Sequence, residues 1–438
     1  MNILLIGGRT LQRDLSLLLS RLRVRLEVET DEDGLRRRLQ KGFSGVILFD
    51  HDDFVDNARR DAFYRQLKSS KCRFLVISSA RTTEAILAAA RRGSADYILR
   101  PCSQREFIMR LNAVAQGKKR IACIGGGTGL FTLLLGLKTL PNALSISIVN
   151  MSDDGGSSGK LSQAFGILPP GDIRRSLVAL SNAPELMNQI IQHRFDKGGE
   201  LHGHSFGNIF LTVLAEVKGS MAEAVKALAD ILNIQGIVLP ATKTLTTLVA
   251  RFQNGLVVKG ESRIDRGDGR PPELRIKKLS HEPESECEPE AFSSIIHAEA
   301  VIIGPGDLFT SVVTNLVVRD IRDAIVRTKA KKIYVCNLMT KPGETAGFDA
   351  AAHVREIVRY LGEDCLDYVL VSNSALSRES ILEYAKKNQS PVAAGRMSSL
   401  RAVTRAKIVI ADLGDETELV RHDSMKLREE IRKILKGL

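Results

Sequence analysis

Two glycine-rich segments of this chain carry the residue types that hold a phosphate. Gly125-Gly126-Gly127-Thr128-Gly129 ends an apolar run that starts at Ile121. Asp153-Asp154-Gly155-Gly156-Ser157-Ser158-Gly159 follows a second run, Leu144–Asn150. Glycines let the backbone approach a phosphate closely, and the N-terminus of a following helix offers N–H donors and a favourable dipole. Gly126, Gly127 and Gly129 would form that cradle, with the Thr128 hydroxyl as a further donor. In the second segment Asp153 and Asp154 suit ribose hydroxyls or a hydrated Mg²⁺, while Ser157 and Ser158 suit phosphate oxygens. The first segment matches the dinucleotide fingerprint only in part, because its third glycine position is Leu130.

Further polar residues come at the ends of other apolar runs. Pro169-Pro170-Gly171-Asp172-Ile173-Arg174 opens a helix; Asp172 can cap it, and Arg174 can present its guanidinium to an anion. In Leu201–Asn208, His202 and His204 form a His-x-His pair with no third ligand nearby. Hydrogen bonding by the pair, to a ligand or to the loop Leu201–Asn208 itself, is therefore favoured over zinc. A third glycine turn, Gly304-Pro305-Gly306-Asp307, follows Ala300–Ile303 and leads into Phe309 and Thr310.

These turns need a scaffold that brings them to one edge. Leu130, Leu133, Leu134, Leu137 and Leu140 recur at helix spacing between the first two turns. Strand, turn, helix, strand and turn make a βαβ unit of a Rossmann-like, doubly wound parallel α/β sheet, whose ligands bind at the carboxyl ends of the strands. Further strands are expected at Val238–Thr242, Lys332–Cys336 and Tyr368–Ser372, one helical stretch at Ala215–Gly236, and a hairpin around Gly255–Lys259. The charged, proline-bearing stretch Arg263–Glu290 reads as an excursion over the surface, and Met425–Leu438 as a basic helix for packing or dimerisation.

Residues 1–116 form a separate α/β unit, with 117–438 as the second and Gln116–Arg120 as linker. Strands at Asn2–Ile6, Leu26–Thr30, Gly45–Phe49, Phe74–Ile77 and Ala95–Leu99 alternate with helices, the first at Leu11–Leu22. This order resembles a response-regulator receiver of flavodoxin-like fold. Asp50 matches the phosphoacceptor, Ser78 or Ser79 the hydroxyl, and Arg100-Pro101 stands where that family has Lys-Pro. Gly7-Gly8 replaces the acidic pair that would hold magnesium, so the unit reads as a degenerate receiver without phosphotransfer at Asp50.

The bulk numbers exclude several classes. With 438 residues, 44% of them apolar, the chain can build two cores; no apolar run approaches the 18 or more residues of a membrane span. Six scattered cysteines without a Cys-x-x-Cys pair argue for a reduced cytoplasmic setting. Of the net charge of +12, +10 resides in residues 1–120, with 24 Lys+Arg against 14 Asp+Glu; the remainder, 39 against 37, holds +2. With no tryptophan and 5% aromatics, nucleic-acid binding is disfavoured.

Taken in order, the turns and the motifs Gly203-His204-Ser205-Phe206-Gly207-Asn208 and Cys336–Thr345 resemble the gluconeogenesis-factor family over residues 120–415. That family is the regulatory branch of a superfamily that also holds the 2-phospho-L-lactate transferases of deazaflavin-cofactor synthesis. The resemblance implies a cytoplasmic protein, without catalytic residues, that binds a UDP-sugar such as UDP-N-acetylglucosamine. It supports cell shape and wall synthesis during gluconeogenic growth, together with a protein partner; a homodimer is an option that the basic C-terminal helix leaves open beside packing. The ligand-lining residues it implies are Gly126, Gly127, Thr128, Gly129, Asp153, Asp154, Ser157, Ser158, Asp172, Arg174, His204, Asn208, Gly304, Gly306, Asp307, Phe309 and Thr310. Asp307 and Phe309 replace the Ser and Tyr common in the family, and a carboxylate beside a diphosphate needs an intervening cation. No cofactor is required on this reading, with Mg²⁺ at Asp153 and Asp154 as the optional ion. The alternative is a Mg²⁺-dependent transferase of a phospho-containing group from a nucleotide donor.

Overall fold

The computed structural model describes the whole chain except residues 8–14, 16–18, 20–23, 55, 71, 268, 272, 418 and 438. The expected helix Leu11–Leu22 lies mostly outside the described residues, of which Leu15 and Leu19 are helical and buried.

The first unit is a five-stranded parallel sheet of β1 (Asn2–Ile6), β2 (Arg25–Glu29), β3 (Val46–Asp50), β4 (Arg73–Ser78) and β5 (Asp96–Leu99), in the order 2-1-3-4-5. Strands covered on both faces are near-continuous apolar runs, and Ile3–Ile6 and Val46–Phe49 are buried throughout. Helix Gln104–Gln116, started by the Ser103 side chain on Glu106 N and stopped by Gly117 in the left-handed region, closes the unit.

The second sheet is seven-stranded and entirely parallel. β6 (Lys119–Gly125), β7 (Ala143–Val149) and β8 (Ile237–Pro240) run outward on one side. β12 (Ala300–Ile303), β13 (Lys331–Val335), β14 (Tyr368–Ser372) and β15 (Lys407–Ala411) run outward on the other. The chain order reverses between β6 and β12, where Ala300 pairs with Ile121 and Ile303 with Ile124. That reversal is the switch point at which doubly wound sheets open a crevice.

Side-chain alternation along β6 feeds two cores. Ile121 and Cys123 join Leu130, Leu133, Leu134 and Leu137, Ile173 and Leu177, and Leu427 and Ile431 of the C-terminal helix Ser424–Lys436. That helix crosses so close to helix Gly127–Leu137 that a Cβ on Gly136 would lie 2.1 Å from the Ser424 carbonyl oxygen. It is a packing element of this chain. Ala122 and Ile124 belong to the other core, which passes through Phe292 and Ile295 of helix Pro289–Ile296 into Ala89 and Tyr97 of the first unit.

Two expectations are corrected. The single helical stretch Ala215–Gly236 is two helices, Phe206–Lys218 and Met221–Ile231. Gly219 at φ +81° ends one and Ser220 caps the next, a stop–start signal that the continuous apolar pattern hides. Arg263–Glu290 is no plain surface excursion. It supplies helix Glu261–Arg266 in part and β11 (Ile276–Glu282), which pairs antiparallel with β9 (Thr247–Phe252) beside β10 (Val257–Lys259).

Candidate functional site

The carboxyl ends of β6 and β12 carry the first and third glycine turns, and the fold presses these together. A Cβ on Gly129 would sit 2.4 Å from the Pro305 carbonyl oxygen and 2.9 Å from Gly306 N. Gly127 takes φ +62° as helix Gly127–Leu137 begins, so its backbone conformation also favours glycine. Asn150, at the end of β7, donates to the Thr310 carbonyl at 3.1 Å and so ties the second turn to the third. A cleft of about 590 Å³ opens over these three turns.

Of the expected residues, Gly126, Gly127, Thr128, Gly129, Asp153, Asp172, Gly306, Asp307 and Thr310 line that cleft. Asp172 stands at the N-terminus of helix Gly127–Leu137: its Oδ2 lies 2.5 Å from where a Gly126 Cβ would be. Burial, and then the neighbouring Asp153 carboxylate, push Asp172 up to about 6. Burial likewise raises Asp153, whose Oδ1 accepts from Gly155 N at 3.0 Å.

The remaining expected residues stand behind the wall. Arg174 is buried, with Nε 2.9 Å from Asn208 Oδ1, while Asn208 Nδ2 donates to Ser157 Oγ at 3.2 Å. His204 Nδ1 completes this cluster, 3.1 Å from Ser157 Oγ. His202 faces elsewhere, 2.8 Å from the Asp196 carbonyl, so the two histidines share no ligand position. Ser158 Oγ accepts from Gly171 N at 2.9 Å, holding the loop that carries Asp172. Asp154 Oδ1 accepts from Ser262 N at 2.8 Å, so it anchors helix Glu261–Arg266 over the cleft. Gly304, at φ +77°, shapes the third turn. Phe309 is buried; its ring meets Tyr360 edge-on with centroids 6.3 Å apart, and its N–H donates to Glu344 Oε2 at 2.7 Å.

The cleft wall also includes residues outside the expected set: Arg175, Glu261, Asp265, Lys341 and His422 among them. Arg175, with its Nη1 3.7 Å from Asp172 Oδ1, takes the anion-facing place expected for Arg174. One residue's step around the helix turns Arg174 inward onto Gly207, where a Cβ would lie 2.7 Å from Arg174 Cδ. Lys341 Nζ sits 2.8 Å from Asp265 and 3.0 Å from Asp307, so a cation does stand beside the Asp307 carboxylate. Burial raises Glu261 to about 9, helped by Asp153, Asp265, Glu344 and Asp154, so it is neutral at pH 7. Burial and then Asp307 raise Glu344 to about 7, against the Thr310 hydroxyl and Phe309 N–H that favour its ionised form.

Such a site, with Arg175 and Lys341 in its lining, can seat a diphosphate on a helix N-terminus, provided that the acidic wall is neutralised by protons or a divalent cation. Among the described residues the carboxylates that converge as a hard cation needs are Asp265, Asp307 and Glu344, with one oxygen each within 4.8 Å of the others, whereas Asp153 and Asp154 each spend an oxygen on a backbone N–H, of Gly155 and Ser262.

The sequence pattern of the family described as 2-phospho-L-lactate transferase CofD matches residues 121–413. The chain belongs to the CofD family. Within it, this CofD-family chain is 42% identical to a putative gluconeogenesis factor of a Nostoc species, over 78% of this chain and 74% of that one. It is 39% identical to the gluconeogenesis factor of Bacillus subtilis, over 73% of this chain and 99% of the relative. A crystal structure of a Bacillus halodurans protein is similar at 37% identity and a TM-score of 0.69, covering 72% of this chain and 99% of that one. The α/β class and the parallel Rossmann-like sheet are thus shared with a solved relative.

The wall chemistry sets a pH dependence. The diphosphate of a nucleotide sugar keeps its charges between pH 5.5 and 7.5, whereas Asp172 takes a proton near 6. Without divalent cations, affinity for such a ligand is expected to rise by about tenfold as pH falls over that range, since one like charge leaves the helix N-terminus. Glu344 titrates in the same window, so Asp172→Asn isolates the effect: calorimetry should show most of the pH dependence gone and tighter binding at pH 7.5. A variant with the unchanged slope would remove Asp172 from the ligand's surroundings.

Proposed function

We propose that this protein is a nucleotide-sugar-binding regulator of the gluconeogenesis-factor kind, acting in the cytoplasm. Its ligand is of the UDP-N-acetylglucosamine class, and its bound state alters contacts with a partner in cell-wall synthesis or cell-shape control. The observation that carries the ligand class is the switch-point cleft: two glycine turns in backbone contact, a helix N-terminus, and Arg175 and Lys341 in its lining. The gluconeogenesis-factor relatives support the regulatory role. All six cysteines are free thiols, which suits a reducing compartment, and among the described residues no helix is long and apolar enough to cross a membrane.

The transferase reading rests on a different observation. Asp172, buried, and Glu261, half-buried, are two carboxyl groups held at different protonation states in one cleft, an arrangement that acid–base chemistry uses. A divalent cation held by the cleft carboxylates would balance the donor diphosphate, Glu261 would give its proton to the leaving oxygen, and ionised Asp172 would take the proton of the accepting hydroxyl.

Calorimetric titration with UDP-N-acetylglucosamine, with and without Mg²⁺, followed by mass spectrometry of the recovered nucleotide, separates the two. Micromolar binding with intact ligand, weakened about tenfold or more in Arg175→Leu through loss of a charge-assisted contact, is the result expected of the regulator. Cleaved or transferred nucleotide would move the protein to the enzymatic reading. Absence of binding under both conditions would overturn the ligand assignment.

A further inference from the structure

The first unit has its own site at the carboxyl edge of its sheet, and the chain fills it. Three donors from β4 and β5 converge there: the Ser78 hydroxyl, the Ser79 N–H and the Arg100 guanidinium. All three meet the Asp52 carboxylate, at 2.5, 2.6 and 2.5 Å. Asp50, at the end of β3, lies buried behind it, 3.3 Å from the same guanidinium and 3.2 Å from Asp52 N. A hydroxyl, a backbone N–H and a guanidinium at one point are what a small oxyanion needs. In an open sheet of order 2-1-3-4-5, this edge is where a ligand would be sought.

The donors lie at the root of the contact with the second unit. Ser78 and Ser79 lead directly into Ala80 and Arg81. Ala80 accepts from the buried Tyr97 hydroxyl at 3.0 Å, and Arg81 reaches Glu290 of helix Pro289–Ile296 at 2.6 Å. On β5, the Tyr97 carbonyl accepts from Ser293 Oγ at 3.0 Å. The loop that the carboxylate organises is therefore one of the elements that dock the two units, beside Ser94 on His297 and Arg110 on Ser294.

We propose that Asp52 is a tethered anion that permanently occupies an oxyanion site of the first unit, and that this occupancy holds the docking loop closed onto helix Pro289–Ile296. Because the anion is part of the chain, the closed arrangement needs no phosphoryl group on Asp50 and no external ligand. The Asp50 carboxyl is screened from a phosphodonor by the same contact.

The test uses the full-length protein and Asp52→Ala. Hydrogen exchange read by mass spectrometry should quicken about tenfold or more in peptides spanning residues 79–92 and 286–298, since three hydrogen bonds to a charge are lost. Adding acetate or inorganic phosphate should slow it again in the variant and change nothing in the wild type. Phosphate should likewise raise the melting temperature of Asp52→Ala but not of the wild type. A purely structural side chain would give the faster exchange without rescue by anions, and that result would overturn the proposal. So would unchanged exchange in the variant, or phosphate protection of the wild-type loop. Asp52→Asn guards against a folding defect: it keeps the shape but should show the same loss, with weaker rescue because the site stays filled.

Discussion

Gly129→Ala is expected to lose affinity for a nucleotide diphosphate by about a hundredfold or more while the protein remains folded. The added methyl would lie 2.4 Å from the Pro305 carbonyl oxygen, 2.6 Å from its carbon and 2.9 Å from Gly306 N. All three are backbone atoms, so no side chain can swing away, and the two turns must part. Overpacking of this kind costs about 1–3 kcal/mol in stability. The effect on binding is larger, because the turns carry the N–H groups of the cradle, and two misplaced hydrogen bonds to a charged phosphate are each worth about 1.5–3 kcal/mol. Gly125→Ala is the matched control. Its methyl would meet Leu130 Cβ at 3.6 Å and Pro305 O at 3.7 Å, which is ordinary contact. Calorimetry and thermal melting on the two variants distinguish a positioned cradle from a turn that only connects β6 to its helix. Wild-type affinity in Gly129→Ala would show that the phosphate sits elsewhere.

That the two turns touch is not readable from either alone, although each is readable as a turn. Parallel strands buried on both faces appear in the sequence as short apolar runs. β6, β12 and β14 therefore stand out, and the glycines at the ends of β6 and β12 mark the ligand edge from the residue order alone. Asp172 is legible for the same reason, being the first carboxylate of a helix that opens after Pro-Pro-Gly. Arg174 and Arg175 are indistinguishable at that level. They are adjacent and alike, and only the helix's rotation against Gly207 decides which guanidinium turns inward.

Other parts leave no local trace. β11 should show alternation, but a bulge between Ile276 and Lys278 puts two exposed lysines in succession, and the period of two is lost. Helix Glu261–Arg266 is hidden with it, and so are Glu261 and Asp265, which enter the cleft from a segment that looks like charged surface. Asp154 offers the same lesson from the opposite side. Its type and spacing suit a metal, yet its partner is a backbone N–H 108 residues away, and no motif reports that. Phe309 has the ring of a stacking face, but that ring is spent on Tyr360 inside the core. Local chemistry names the groups that can bind, and tertiary contacts decide which of them are free to do so.

The joint between the two units is where the largest loss of stability is expected. Arg110, 2% exposed, points from helix Gln104–Gln116 into a wholly buried setting. Its Nε donates to Glu106 at 2.9 Å, its Nη1 lies 3.3 Å from both oxygens of Asp96, and its Nη2 donates to Ser294 of the second unit at 3.0 Å. Burial opposes the charge on Asp96, but Arg110 and then Arg120 more than offset it and hold the carboxyl below its ordinary range. Arg110→Met fills most of the volume and leaves Asp96 with the Tyr97 N–H at 2.8 Å and, as its nearest cation, Arg120 at 3.9 Å. Removing one partner of a buried ion pair costs about 3–5 kcal/mol, because the other charge stays behind unpaired. The pH profile carries the sign. In the wild type, Asp96 has a depressed pKa, so its stabilisation is present above the unfolded value of about 3.9 and fades as pH falls through the lower folded value. In Arg110→Met the same carboxyl is desolvated with little compensation, so its folded pKa rises above the unfolded one and its charge destabilises at neutral pH. The deficit should therefore shrink as pH is lowered from 7 toward 5, where Asp96 can take a proton. Asp96→Asn added to Arg110→Met should recover part of the loss at pH 7, since it removes the stranded charge. Guanidinium titrations of the three variants at pH 5 and 7 measure this. A deficit that ignores pH and is not relieved by Asp96→Asn would mean that Arg110 holds the joint by packing and by Ser294, and not by its charge.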